Sequence, residues 1–124
     1  MKFLTGIVLA LAALGWSTSP ATDTEIDRLL QSLKTSGCKF ERNGTWYEAA
    51  KAVEHLGGKR DYFRKKDKIR TPEDFIRLAA TESSMSCKPY HVACPDKPVV
   101  ESYAWLTAEL SRIRGQQPAR PQRP

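Results

Sequence analysis

Residues 38–47 read Cys38-Lys39-Phe40-Glu41-Arg42-Asn43-Gly44-Thr45-Trp46-Tyr47, and this stretch decides the fold. Asn43-Gly44 is a strong hairpin signal, because a two-residue turn between twisted strands needs positive φ at both central positions. With the turn placed there, Arg42 pairs with Thr45 and Phe40 with Tyr47. Side chains alternate across a strand, so Cys38, Phe40 and Tyr47 share the face expected to pack on a core. Lys39, Glu41, Trp46 and Glu48 fall on the other face. Asn43-Gly44-Thr45 also fits the glycosylation pattern, and is read here as a turn only.

On both sides of the hairpin the apolar period becomes helical. Upstream, Ile26, Leu29, Leu30 and Leu33 predict a helix over 24–36, with Thr22, Asp23 and Thr24 as candidate caps and Gly37 as its stop. Downstream, Ala49, Ala52, Val53, Leu56 and Phe63 predict a helix over 48–67. Gly57-Gly58 interrupts that stripe, and each Gly costs about 1 kcal/mol relative to Ala in a helix interior, so a kink or break is expected there. Residues 59–68 are heavily basic. Thr71-Pro72-Glu73-Asp74 then opens a third helix with a cap, a first-turn proline and two acidic residues suited to the positive helix end. Phe75, Ile76, Leu78 and Ala79 supply its buried side, out to about Glu82. After the polar residues 83–86, Tyr90, Val92 and Cys94 alternate as a half-buried strand would, until Pro95 and Pro98 break it. Trp105, Leu106, Leu110 and Ile113 mark a last helix over 99–114. A lone strand leaves its backbone groups unpaired, so the third strand should join the hairpin. The order implies one α+β domain over 22–114, with a small antiparallel sheet (hairpin plus a third strand) packed on about four helices.

The two ends of the chain read differently. Lys2 and the apolar run from Phe3 to Leu14, followed by small residues at Ser19 and Ala21, have the layout of a secretory signal peptide cut after Ala21. The run is shorter than the roughly 20 apolar residues a spanning helix needs, so no stable membrane insertion is expected after cleavage. Removing 21 of the 124 residues leaves 103 and takes the formal charge from +6 to +5, Lys2 being the one charged residue lost. Such a balance favours anionic partners, although export argues against nucleic acid. Residues 115–124, rich in Pro, Gln and Arg, read as a disordered tail.

Three cysteines, Cys38, Cys87 and Cys94, in an oxidising compartment imply one disulfide and one odd thiol. Cys38 opens the first strand and Cys94 ends the third. If those strands are antiparallel neighbours, the pair lies at disulfide range. Cys87–Cys94, around a short loop, is the rival.

Four stretches carry a family resemblance when read in order. They are Phe40-Glu41-Arg42-Asn43-Gly44, then Ala52-Val53-Glu54-His55-Leu56 with Lys59, then Ile69 to Ile76, then Ser83-Ser84-Met85-Ser86 with Lys88-Pro89-Tyr90. Together they resemble the YfeK-like family of small exported bacterial proteins of unknown function, over about residues 25–114. The resemblance implies a bacterial periplasmic setting and brings no activity with it. Two departures stand out. Gly57-Gly58 occupies a place where more helical residues are expected, and Cys87 stands where that family has Gly before Lys-Pro-Tyr. The second departure points to Cys87 as the unpaired thiol and to Cys38–Cys94 as the bridge.

Catalytic signatures are missing from the sequence. There is no Gly-x-Ser-x-Gly, phosphate loop or dinucleotide fingerprint, and Met85 stands where a Ser-to-Lys spacing would need its serine. Cys87 and His91 lie on one short loop, a poor geometry for a nucleophile and its base. Cys38, Cys87, His91 and Cys94 form a legitimate zinc set, but oxidation competes for the thiols and His91 should point away from Cys94. No catalytic residue, metal or cofactor is therefore assigned. The remaining polar set is Arg42, His55, Lys59, Ser84, Lys88 and Tyr90. His55 and Lys59 share a helix face, and the set can converge on an anion-binding cleft. The competing reading makes Tyr90 a core residue beside Phe40 and lets Lys59 lay its stem along the apolar stripe. The sequence favours an exported periplasmic binding or interaction protein, for an anionic ligand or an envelope protein. The alternative is an inhibitor or immunity protein for an envelope hydrolase.

Overall fold

The structure is a computed structural model that describes residues 19–116. Residues 1–18 of the expected signal segment and 117–124 of the expected tail lie outside the described residues. The elements run α1 (Pro20–Lys34), β1 (Lys39–Arg42), β2 (Thr45–Glu48), α2 (Ala49–Lys65), α3 (Pro72–Ala79), β3 (His91–Ala93), β4 (Val100–Glu101) and α4 (Ser102–Gly115). This is an α+β fold.

The turn forms where the chain chemistry asks for it: Asn43 has φ 52° and Gly44 φ 85°. Phe40 pairs with Tyr47 and Arg42 with Thr45. β3 joins the free side of β1, with Val92 opposite Phe40. A fourth strand, not expected from the sequence, completes an antiparallel sheet of order β2-β1-β3-β4. It occupies residues read as the start of the last helix. Val100 pairs with Val92 and Glu101 with His91, and the helix begins only at Ser102, whose amide donates to the Tyr90 carbonyl at 2.8 Å.

One face of the sheet packs inward through Phe40 and Val92, both buried, and a half-buried Tyr47. The outer row is Trp46, Glu41, His91 and Glu101. α1 lies at the centre of the helices, against α2, α3 and α4, while α2 and α4 reach the sheet. Ile26, Leu29 and Leu33 of α1, Leu56 of α2, Phe75 and Ile76 of α3, and Leu106 and Ile113 of α4 fill the core with almost no exposure. Each such side chain contributes about 1.5–3 kcal/mol on burial, which is why the helical stripes orient every helix.

Element boundaries depart from expectation at identifiable points. In the uncut chain α1 starts at Pro20, with Ser19 accepting from the Thr22 amide as its cap and the proline in the first turn, so the helix begins two residues inside the segment expected to be removed. α2 runs unbroken through Gly57-Gly58, held by Leu56 in the core and Phe63 packed against it. α3 carries a reciprocal capping box between Thr71 and Asp74 and stops at Ala79, short of Glu82, with the Ala80 amide closing on the Ile76 carbonyl. Gly115, expected in the tail, is the last residue of α4.

Antiparallel pairing of β1 with β3 places Lys39 opposite Ala93, and the residues just outside that pair, Cys38 and Cys94, form a disulfide with Cα atoms 4.1 Å apart. Cys87 is free and exposed.

Candidate functional site

α2 follows the hairpin directly, so its first turns lie beside the end of β1. His55 and Lys59 sit one turn apart on the face turned toward that strand end, and Tyr62 and Phe63 continue the face one turn later. Arg42, the last residue of β1, approaches from the sheet. The segment between α3 and β3 closes the third side. Together Arg42, Asn43, His55, Lys59, Tyr62, Phe63, Ser83, Ser84, Met85 and Tyr90 line a cleft of about 390 Å³.

Tyr90 is the floor of this cleft. Its ring packs 5.2 Å from Phe40 and 6.0 Å from the His55 ring, and it is almost fully buried. Lys59 Nζ lies 5.0 Å above the same ring, donates to Tyr90 Oη at 3.1 Å and to the Glu82 carbonyl at 2.9 Å. Tyr90 Oη and His55 Nε2 are 3.2 Å apart. An ammonium can only donate, so the tyrosine proton is left for His55 Nε2, and the network sets a chain from Lys59 through Tyr90 to a neutral imidazole. Arg42 Nη1 lies 3.1 Å from His55 Nδ1 and 3.4 Å from Nε2. The two in-plane lone-pair directions of an imidazole diverge, so a nitrogen near both lies against the ring rather than on one lone pair. Burial, then the Arg42 and Lys59 charges, hold His55 below its usual pKa. Burial also lowers Lys59, with Glu82 opposing and Arg42 assisting. The Tyr90 hydroxyl is pushed up by burial, and Arg42 draws it partway back. At neutral pH the cleft therefore holds two cations and a neutral histidine.

The loop facing them is tied down from inside. Ser83 N donates to the Lys88 carbonyl, Cys87 N to the Ser83 carbonyl and Tyr90 N to the Thr81 carbonyl. The Ser83 hydroxyl accepts from the amides of Met85 and Ser86, and Ser86 Oγ accepts from Lys88 N. Asn43 at the hairpin tip bridges to this loop, donating to Ser83 Oγ at 3.3 Å and accepting from Ser86 Oγ at 2.6 Å. The turn that sets the sheet register thus also holds the cleft rim.

Of the residues singled out in the sequence, Arg42, His55, Lys59, Ser84 and Tyr90 line the cleft, Ser84 exposed on its rim. Tyr90 serves as core and as cleft floor at once. Lys88 is exposed and is not among the lining residues; its charge acts on Glu41, on the outer face of the sheet. Asn43, Tyr62, Phe63, Ser83 and Met85 were not singled out for this surface. The helical ladder from His55 through Lys59 leads to Tyr62 and Phe63, so those two were within reach of spacing alone.

The zinc set does not assemble, since Cys38 and Cys94 are joined and His91 Nδ1 is held by Glu41 at 2.6 Å. No group of His, Cys, Asp and Glu among the described residues can hold a metal ion. No described helix is long and apolar enough to cross a membrane.

These features define a small α+β domain, its central strands tethered by a disulfide, with a two-cation cleft beside the hairpin. A family model described as a family of unknown function (DUF5329) matches residues 20–114, and the chain belongs to that family. No curated protein and no solved structure matches it.

Proposed function

We propose that this is an exported, periplasmic binding protein that captures an anionic group in the cleft between α2, the end of β1 and the 81–90 loop, with no catalysis of its own. One observation carries the reading. Arg42 and Lys59 form no ion pair among the described residues and converge on one cleft, whereas Arg60, Arg64, Arg77, Arg112, Arg114, Lys39 and Lys51 each pair with a carboxylate. Half-buried Arg28 and the exposed Lys34, Lys65, Lys66, Lys68, Lys88 and Lys97 show no such pair either, but do not line the cleft. The partners of Arg42 and Lys59 are an imidazole, aromatic faces, a phenol and a backbone carbonyl. Two half-buried cations with no ion pair, and only the longer-range charge of Glu82 acting on Lys59, make a site that an anion stabilises.

Export is supported by the charged start and apolar run of the first 21 residues and by a disulfide, which persists in oxidising compartments. The resemblance to the YfeK-like family supports a bacterial periplasmic setting. Titrating the isotope-labelled protein with acetate, 3-phenylpropionate and inorganic phosphate should shift the resonances of His55, Lys59 and Tyr90 for at least one of these anions. Lys59→Gln and Arg42→Gln should each weaken that binding. Silence of the cleft toward every anion in the panel would end the reading. Mass spectrometry of the chain from the envelope fraction should find a start close to Thr22, and a retained Met1 would count against export.

A further inference from the structure

The cleft has two unlike walls, and the donors still free on the polar one are few. Lys59 has three N–H donors, of which two are engaged by Tyr90 Oη and the Glu82 carbonyl. Arg42 places Nη1 against His55, leaving the rest of its fork. Sites for phosphate commonly recruit runs of backbone N–H groups or a helix start. Here the amides of Ser83, Met85, Ser86, Cys87, Lys88 and Tyr90 are engaged within the loop, and among these rim residues Ser84 alone keeps its amide and hydroxyl free, short of a run of donors. One guanidinium fork and one ammonium proton match the two oxygens of a carboxylate.

The other wall is apolar and exposed to solvent. Met85 is 96% exposed and Tyr62 55% exposed, and both line the same cleft as a half-buried Phe63. Tyr62 meets Phe63 edge-on at 5.1 Å and carries Lys66 Nζ 5.1 Å over its ring. Resting on the anion-binding reading above, we infer that the ligand is a carboxylate carried on an apolar or aromatic group. The carboxylate lies on Arg42 and Lys59, and the apolar part lies against Tyr62, Phe63 and Met85. The same chemistry is offered by a free aryl or alkyl acid and by a peptide whose last residue is apolar.

Calorimetry on the purified protein at fixed ionic strength tests this with five probes: 3-phenylpropionate, acetate, 3-phenylpropan-1-ol, inorganic phosphate and a tripeptide ending in phenylalanine with a free carboxyl end. Burying part of a phenyl ring should make 3-phenylpropionate at least about tenfold tighter than acetate. It should also bind tighter than the alcohol and the phosphate. Replacing the two exposed rim residues together, Tyr62→Ser with Met85→Ser, should remove most of the advantage of 3-phenylpropionate over acetate, and a ratio equal to that of the native protein would overturn the apolar half. If acetate or phosphate binds as well as 3-phenylpropionate, the apolar half of the inference falls and the anion cleft stands. If the alcohol equals the acid, the carboxylate half falls. Absence of binding by every anion removes the anion cleft as well. Tighter binding of the tripeptide than of 3-phenylpropionate assigns the carboxylate to a chain end, and the reverse order assigns it to a free acid; either order supports the inference.

Discussion

His55 is surrounded by groups that oppose its protonation: Arg42 against the ring, Lys59 one turn along α2, and the buried Tyr90 beneath. Its folded pKa lies below the unfolded value of 6.5, so on acidification the unfolded chain takes up the proton first. By linkage, the stability tied to a neutral His55 is fully present above about pH 6.5. It is lost as pH falls from there through the depressed folded value, and then levels off. Glu41, Glu73 and Asp74, all held below their usual range, begin to lose their contribution only below their unfolded values of 4.5, 4.5 and 3.8, so the decline on acidification starts with His55. Melting temperature measured from about pH 8 down to about pH 5 should decline in the native protein. It should be flatter in His55→Gln, and parallel profiles would contradict the placement of His55. The partnership of His55 with Lys59 was legible, because one helical turn is a local relation. Lys88 was not: its distance from the cleft depends on the path of the loop around Ser83 and on the left-handed Cys87 at φ 60°, which no periodicity announces.

α2 shows where local propensity loses to packing. Gly57 and Gly58 were expected to kink or break it, at about 1 kcal/mol each relative to Ala. Leu56, fully buried, and Phe63, packed on the core, bracket the pair, and burial of side chains of that size outweighs the penalty. A Cβ built at Gly58 meets nothing within 4 Å, and the backbone there is helical. Gly58→Ala should therefore stabilise the protein by about 0.5–1 kcal/mol, read as a higher midpoint in chemical denaturation. A lower midpoint would show that the position is less open than it looks. The hairpin was legible down to its register, because Asn43-Gly44 admits few turn geometries. β4 was not, because two residues carry no alternation to read. Val99 and Val100 match a helix as well as a strand until their pairing with β3 is known.

Across the whole molecule, one covalent bond joins the two central strands. Cys38 and Cys94 lie 56 residues apart in sequence, and closing a loop of that length restricts the unfolded chain by about 4 kcal/mol in the chain-entropy model. Replacing both with Ala should lower the melting temperature by on the order of 10 °C or more for a domain this small, while Cys87→Ser should leave it nearly unchanged, since Cys87 is exposed and free. A double variant that melts with the native protein would assign the sheet's stability to its pairing and packing alone. The position of that bond also sets a problem of timing. If the chain is exported as proposed, it presents Cys38 first, Cys87 next and Cys94 last. Oxidation in order of appearance would join Cys38 to Cys87, the wrong partner, while β3 is still emerging. The native bridge then forms if the thiols stay reduced until β3 has docked on β1, or if the Cys94 thiolate attacks Cys38 in an early Cys38–Cys87 bond and releases Cys87 as the free thiol found in the fold.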